Sequence, residues 1–305
     1  MRLVTVRALL LVVLLGLARL GHVARADDSA TPEAAGVTIQ LVLRARFDDA
    51  PPAPAFIAVT RYTLPPGTSI ASGTTTGPRL FLVENGEVTI QSTNADSGFR
   101  RAADAPPISG EGGPDVTLRP GDHYRPTDPT SFALRNDGTL GADFLDVIVC
   151  PQAPFGLVPY TTMDGIVVDP LGNGVAGVVP GAPVELRIER LDVASGQRVA
   201  LAAVPGPRLF VVESGTLGLA ADAGVITYSG AAGTNPGSTA GRARTVAPGT
   251  QSLLTARGSV FVQAGASGTA TNLGRSRLML LSVSLLPANP ATAASLAADS
   301  ATPAA

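Results

Sequence analysis

Gly77-Pro78-Arg79-Leu80-Phe81-Leu82-Val83-Glu84-Asn85-Gly86 returns as Gly206-Pro207-Arg208-Leu209-Phe210-Val211-Val212-Glu213-Ser214-Gly215. The offset is 129 residues, and most positions are identical. Arg79 to Glu84 has the alternation of a strand, and Asn85-Gly86 behind it has the composition of a tight hairpin turn. A duplicated strand and turn predicts two copies of one β domain.

The match extends outward in register. Arg61 aligns with Arg190, Gly67 with Gly196 and Gly86 with Gly215. The later turn Pro120-Gly121 aligns with Pro248-Gly249 at an offset of 128. Val37–Phe47 and Ala55–Leu64 alternate as strands, and Val184–Val193 opens the second copy. Phe144–Cys150 is an apolar closing strand, matched by Ser276–Leu286. A polar, Gly/Pro-rich insertion, 92–114, interrupts the first copy, and 220–244 interrupts the second at the equivalent place.

The composition agrees with many short strands. Of 305 residues 45% are hydrophobic, only 15% are charged, and 34 Gly and 26 Pro punctuate them. No stretch after the N-terminus keeps a helical period over several turns. All 22 basic residues are Arg. Without lysine, Schiff-base and lysine general-base chemistry are excluded.

Arg2 and Arg7, the apolar run 8–18 and Ala24-Arg25-Ala26 together read as a cleaved export signal, residues 1–26. The expected location is therefore secreted or extracytoplasmic, with an uncleaved N-terminal anchor as the alternative. Removing residues 1–26 takes away four Arg and no acid. That leaves 18 Arg against 24 acids, a charge of −6. Such a balance argues against nucleic acid, and no stable membrane insertion is expected after cleavage. His123 is then the sole histidine, and it is read as an exposed loop residue beside Asp122, an ordinary turn residue. Cys150 is the sole cysteine. It is either buried and inert or available for a bridge to another chain, and the preceding Val147-Ile148-Val149 favours burial.

This arrangement resembles the cupin superfamily, in its two-domain or bicupin form. The resemblance spans about residues 37 to 287. It implies an all-β fold of two tandem cupin-like barrels, each a double-stranded β-helix or jelly roll, packed as a pseudo-two-fold pair. Strands such as Val37–Phe47 are expected to cross between them. The implied divisions are 37–150 and 184–287 for the barrels, 151–183 for the connection, and 288–305 for a disordered tail.

The family's first motif carries two histidines, a glutamate and a closing glycine. Counted from Gly67, those places hold Gly73, Thr75, Arg79 and Gly86. Counted from Gly196, they hold Ala202, Val204, Arg208 and Gly215. In the second motif the histidine and asparagine places fall on Phe132 and Asn136, and in the second copy on Val260 and Ala264. The glycines fit, and the ligand places do not. A metal centre needs about three His, Asp, Glu or Cys donors converging on one point, so neither metal nor cofactor is expected.

Arg79 and Arg208 stand where the family keeps its glutamate. The resemblance implies that both point into the barrels. A guanidinium there presents five donors to a carboxylate or phosphate. The alternatives are an internal ion pair, with Asp146 in the first copy and Glu189 in the second, or a solvated place at the barrel mouth. Arg61 and Arg190 are further candidates for the same ligand, although paired surface charges explain them as well. Glu84 and Glu213 are expected to face solvent.

The functional expectation is an exported, metal-free, non-catalytic binding or structural module, with a small polar or anionic molecule as its partner. The oligomeric state is left open. The alternative is a cupin-type enzyme, isomerase or oxygenase-like, with an atypical active site.

Overall fold

The computed structural model describes residues 36–72, 78–92, 98–100, 107–109, 115–126, 132–151, 161–231 and 241–288. The export signal, Gly73, Thr75, most of the 92–114 insertion and the tail beyond 288 lie outside them. Every described element is a strand or turn.

The first half of the chain contributes β1 (Val37–Phe47), β2 (Ala55–Leu64), β3 (Ser69–Ser72), β4 (Arg79–Asn85), β5 (Val88–Ser92) and β6 (Gly98–Arg100). It continues with β7 (Pro107–Ser109), β8 (Val116–Leu118), β9 (His123–Arg125), β10 (Phe132–Arg135) and β11 (Ala142–Cys150). The second contributes β12 (Thr161–Met163), β13 (Ile166–Ala176), β14 (Val184–Val193), β15 (Arg198–Leu201), β16 (Arg208–Ser214) and β17 (Thr216–Ala223). It ends with β18 (Ile226–Ser229), β19 (Arg244–Thr245), β20 (Gln251–Thr255), β21 (Ser259–Val262), β22 (Ser267–Asn272) and β23 (Leu278–Pro287).

Four sheets result. The long sheet β12-β13-β2-β11-β4-β9-β6-β7 goes with the short sheet β3-β10-β5-β8. The long sheet β1-β14-β23-β16-β21-β18-β19 goes with β15-β22-β17-β20. Each pair encloses its own core because strand side chains alternate between faces. Phe81, Phe144, Tyr124 and Leu118 fill the first. Phe210, Leu219, Val260 and Leu280 fill the second. The opposite faces of the two long sheets share a third core, with Leu80, Leu82 and Val147 from one half against Leu209, Val211 and Val283 from the other.

The halves exchange their leading strands, as the resemblance implied. β1 pairs with β14, while β13, from the stretch read as a connection, pairs with β2. β13 approaches the second half so closely that a Cβ on Gly174 would lie 2.2 Å from the Phe261 ring. Only glycine fits there.

Asn85-Gly86 does not make a hairpin. β4 and β5 belong to different sheets, and only Gly86 of the two has positive φ, at 69°. The turn is a corner that passes the chain from the long sheet to the short one. A Cβ on Gly86 would lie 2.6 Å from the Gly141 carbonyl oxygen, so the closing strand leaves no space for a side chain. Ser214-Gly215 makes the same corner between β16 and β17.

The repeat also changes register after the insertion. Gly121 donates its N–H to the Val83 carbonyl, and in the second half Arg257 donates to the Val212 carbonyl. The counterpart of Gly121 is thus Arg257 and not Gly249. Both take positive φ, at 87° and 70°. By the same register Phe132 corresponds to Gly268, and Val260 to Tyr124. Asn136 corresponds to Asn272 and not to Ala264. The insertions differ in length, and a motif count carried across them slips.

Candidate functional site

Strand alternation sends Leu80, Leu82 and Glu84 to the face between the halves and Arg79, Phe81 and Val83 into the first barrel. On the adjoining strand Asp146 lies opposite Phe81, on that same inner face. Arg79 grips it with two bonds, Nε to Oδ1 at 2.8 Å and Nη2 to Oδ2 at 2.6 Å. The side chains are only 12% and 7% exposed. The Arg79 carbon lies 4.6 Å from the Phe81 ring centroid and 5.3 Å from that of Phe132. Burial alone would pull the guanidinium down, but Asp146, by charge and hydrogen bond, holds it above its ordinary pKa. Tyr62 above it is pushed up, by burial first and then by the Asp146 charge.

The second barrel repeats the arginine without the aspartate. Ser282 lies opposite Phe210, where Asp146 lies opposite Phe81. An acid does lie nearby, Glu189, but on β14, one strand further from Arg208. No ion pair joins Arg208 to an acid among the described residues. Its Nη2 donates to the Ala202 carbonyl, and its Nε has no hydrogen-bond partner there. Burial dominates over the Glu189 charge and takes the Arg208 guanidinium down to about 10. Glu189 is itself held up by burial, against the pull of Arg187, Arg208 and Arg44.

Arg208 lies over the Phe210 ring, 5.6 Å from its centroid. The space bounded by Phe210, Leu201, Val260 and Leu280 is wholly apolar and admits no water-sized sphere.

Arg61 and Arg190 do not join these arginines. They lie on the opposite face of their sheets, in a ring that ties the halves together. Arg61 bonds Glu84 at 2.6 Å and Glu213 at 2.9 Å. Arg190 bonds Glu213 at 3.2 Å and also Glu84. The two acids, read as solvent-facing, are 11% and 18% exposed and each bridges both arginines. Arg61 is raised well above its ordinary range: burial opposes this, and Glu84 and Glu213 outweigh it. At the rim of the ring Arg257 pairs with Asp169 of β13. Nothing in the local pattern announces the ring, because its members come from four strands far apart in sequence.

His123 is not an exposed loop residue. It lies in β9, paired with Leu82, and is 4% exposed. Asp122 is buried too, and its Oδ2 accepts the Arg119 N–H at 2.9 Å. Cys150 is buried, at 2%.

The described ligand places cannot coordinate a cation. In the first barrel they bring together a guanidinium and a phenyl ring, Arg79 and Phe132. In the second, Ala202, Val204, Arg208 and Val260 offer no side-chain donor of metal-binding type, nor does Gly268. These residues do not fit the metal that the family resemblance implies. No cluster of three or more His, Cys, Asp or Glu suited to a metal occurs among the described residues.

No family model matches the chain, and no curated protein matches it either. Solved structures do. A cupin 2 conserved barrel domain protein from Leptotrichia buccalis is similar at 12% identity and a TM-score of 0.34, covering 83% of this chain and 91% of that one. Oxalate decarboxylase from Lactobacillus farciminis, in a formate complex, is similar at 10% identity and TM-score 0.43, over 76% and 77%. Procruciferin, an 11S globulin from Brassica napus, is similar at 9% and 0.40, over 75% and 76%. The fold is that of a bicupin. It rests on the strand pairing itself, duplicated in facing sheets with exchanged leading strands. A bicupin fold hosts enzymes and globulins alike, so the likeness carries nothing about the activity of this chain.

Proposed function

We propose that the protein is an exported, non-catalytic binding module, metal-free, in which the first barrel is a closed scaffold and the second receives a small anionic ligand. One contrast carries this reading. Arg79 has a bidentate carboxylate of its own, and Arg208, in the matched place, has none. A half-buried guanidinium whose nearest acid, Glu189, forms no ion pair with it is costly, and an anion from solution offsets that cost. Export is supported by the N-terminal pattern of Arg2, Arg7, the apolar run and Ala24-Arg25-Ala26.

The test uses the full chain expressed with its N-terminus intact and purified from the extracytoplasmic fraction. Its melting temperature is followed against carboxylates, phosphate and sulfate at constant ionic strength. At least one anion raises it and is recovered chemically unchanged, and elemental analysis finds no stoichiometric metal. Consumption of the ligand overturns the non-catalytic reading, bound metal the metal-free one, and a flat response to every anion the binding one. N-terminal sequencing of the purified chain yields Asp27, and retention of Met1 in the membrane fraction points to the anchored form instead.

A further inference from the structure

We propose that the ligand is a small monocarboxylate, held at the mouth of the second barrel by a cationic row across four strands. The row is Arg44 on β1, Arg187 on β14, Ser284 on β23 and Arg208 on β16, each directly paired with the next. This deepens the binding reading above and rests on it. Paired residues share a face, and strands lie ~4.8 Å apart, so the row spans roughly 14 Å.

The first barrel shows what the row is for. Its equivalent positions are Asn173, Ala58, Ile148 and Arg79. That row carries a single charge, and Asp146 neutralises it. The aspartate grips Arg79 along the edge formed by Nε and Nη2. In the second barrel the matched position is Ser282, shorter by a carboxylate, and the Nε on the matched edge of Arg208 is the donor left without a partner. The internal carboxylate of one barrel is thus the template for the external one of the other.

Charge decides between a monoanion and a dianion. Arg44, Arg187 and Arg208 face Glu185 and Glu189 on this side of the sheet, and Arg46, on the same side opposite Glu185, is matched by Asp48 at 3.3 Å. Glu185 is occupied by Arg187, at 3.1 and 2.9 Å, and lies 3.8 Å from Arg44. Glu189 lies 3.7 Å from Arg187. Three cations against two acids leave one positive charge, which a monocarboxylate balances and a sulfate or phosphate dianion exceeds. The closed apolar floor at Phe210 restricts the ligand to a compact molecule whose remainder points outward.

Acetate and sulfate, titrated at constant ionic strength against the full chain, test this. Acetate raises the melting temperature of the wild type and of Arg119→Gln, a distant exposed control. Ser282→Asp supplies the second barrel with the carboxylate of the first. It melts higher than wild type without ligand and binds acetate at least about tenfold more weakly, one charge-assisted pair having been pre-empted. Arg208→Gln loses the response as well. Sulfate outperforming acetate, or Ser282→Asp responding like wild type, overturns the assignment. If sulfate alone raises the melting temperature and Arg208→Gln abolishes that rise, the monocarboxylate fails while the anion-binding reading stands. If nothing raises it, both fail.

Discussion

Asn136 and Asn272, 136 residues apart, make the same three side-chain hydrogen bonds. Asn136 donates to the Leu64 and Leu140 carbonyls, both at 2.8 Å, and accepts the Gly138 N–H at 3.0 Å. Asn272 donates to Val193 and Ser276, both at 2.8 Å, and accepts from Gly274 at 2.9 Å. Each is fully buried, and each pins the turn that feeds the closing strand to the end of the strand beside it. The backbones agree as well, since Gly67 and Gly196 donate to the carbonyls of these two asparagines.

Removing either amide leaves buried backbone carbonyls without a donor. Asn136→Ala and Asn272→Ala each lower stability by about 1–3 kcal/mol, and by similar amounts. Urea denaturation of the two variants checks this. A loss confined to one of them would show that the two turns are not equivalent in energy.

The Arg79–Asp146 pair is nearly enclosed, so its halves depend on each other. Arg79→Leu or Asp146→Leu alone strands a buried charge and costs about 3–5 kcal/mol. The double variant Arg79→Leu/Asp146→Leu costs less than either single one, because the residual charge disappears with its partner. A double-variant loss equal to the sum of the singles would mean the pair is not coupled.

Glu189 sets a pH dependence. Burial raises its folded pKa above the unfolded value, so its contribution to stability is fully present below the unfolded pKa. It is lost as pH rises through the folded pKa. Glu189→Gln does not titrate. Its melting temperature relative to wild type therefore climbs as pH rises from below the ordinary glutamate value, about 4.3, to above it. A difference that stays flat or falls over that interval contradicts the burial of a charged Glu189.

Much of the architecture was legible because the repeat is local. The strand Arg79 to Glu84 and its copy, the glycines at 67, 86, 196 and 215, and the closing apolar strands all lie in short windows whose pattern survives duplication. Legibility ended where pairing depends on distant strands. His123 reads as a loop residue because its neighbours are turn formers, yet β9 is drawn under β4. Asp122 does sit in the turn before it, its N–H bonded to the Arg119 carbonyl. Glu84 and Glu213 precede corners, and only the back-to-back packing of the long sheets encloses them. Asn272 escaped a fixed motif count because the second insertion shifts the register, although Asn-x-Gly before an apolar strand occurs in both halves.

The sequence by itself determined that this chain is two copies of one β unit, and that an arginine stands at the matched inner position of each. Repetition and alternation are properties of neighbouring residues, so no tertiary information is needed to read them. Which arginine is neutralised was decided only in three dimensions. Asp146 and Ser282 take matched places opposite Phe81 and Phe210 through antiparallel registers joining strands more than sixty residues apart, and only Asp146 bonds its arginine. A carboxylate in one register and a hydroxyl in the other separate a guanidinium gripped by Asp146 from one that no acid pairs with among the described residues.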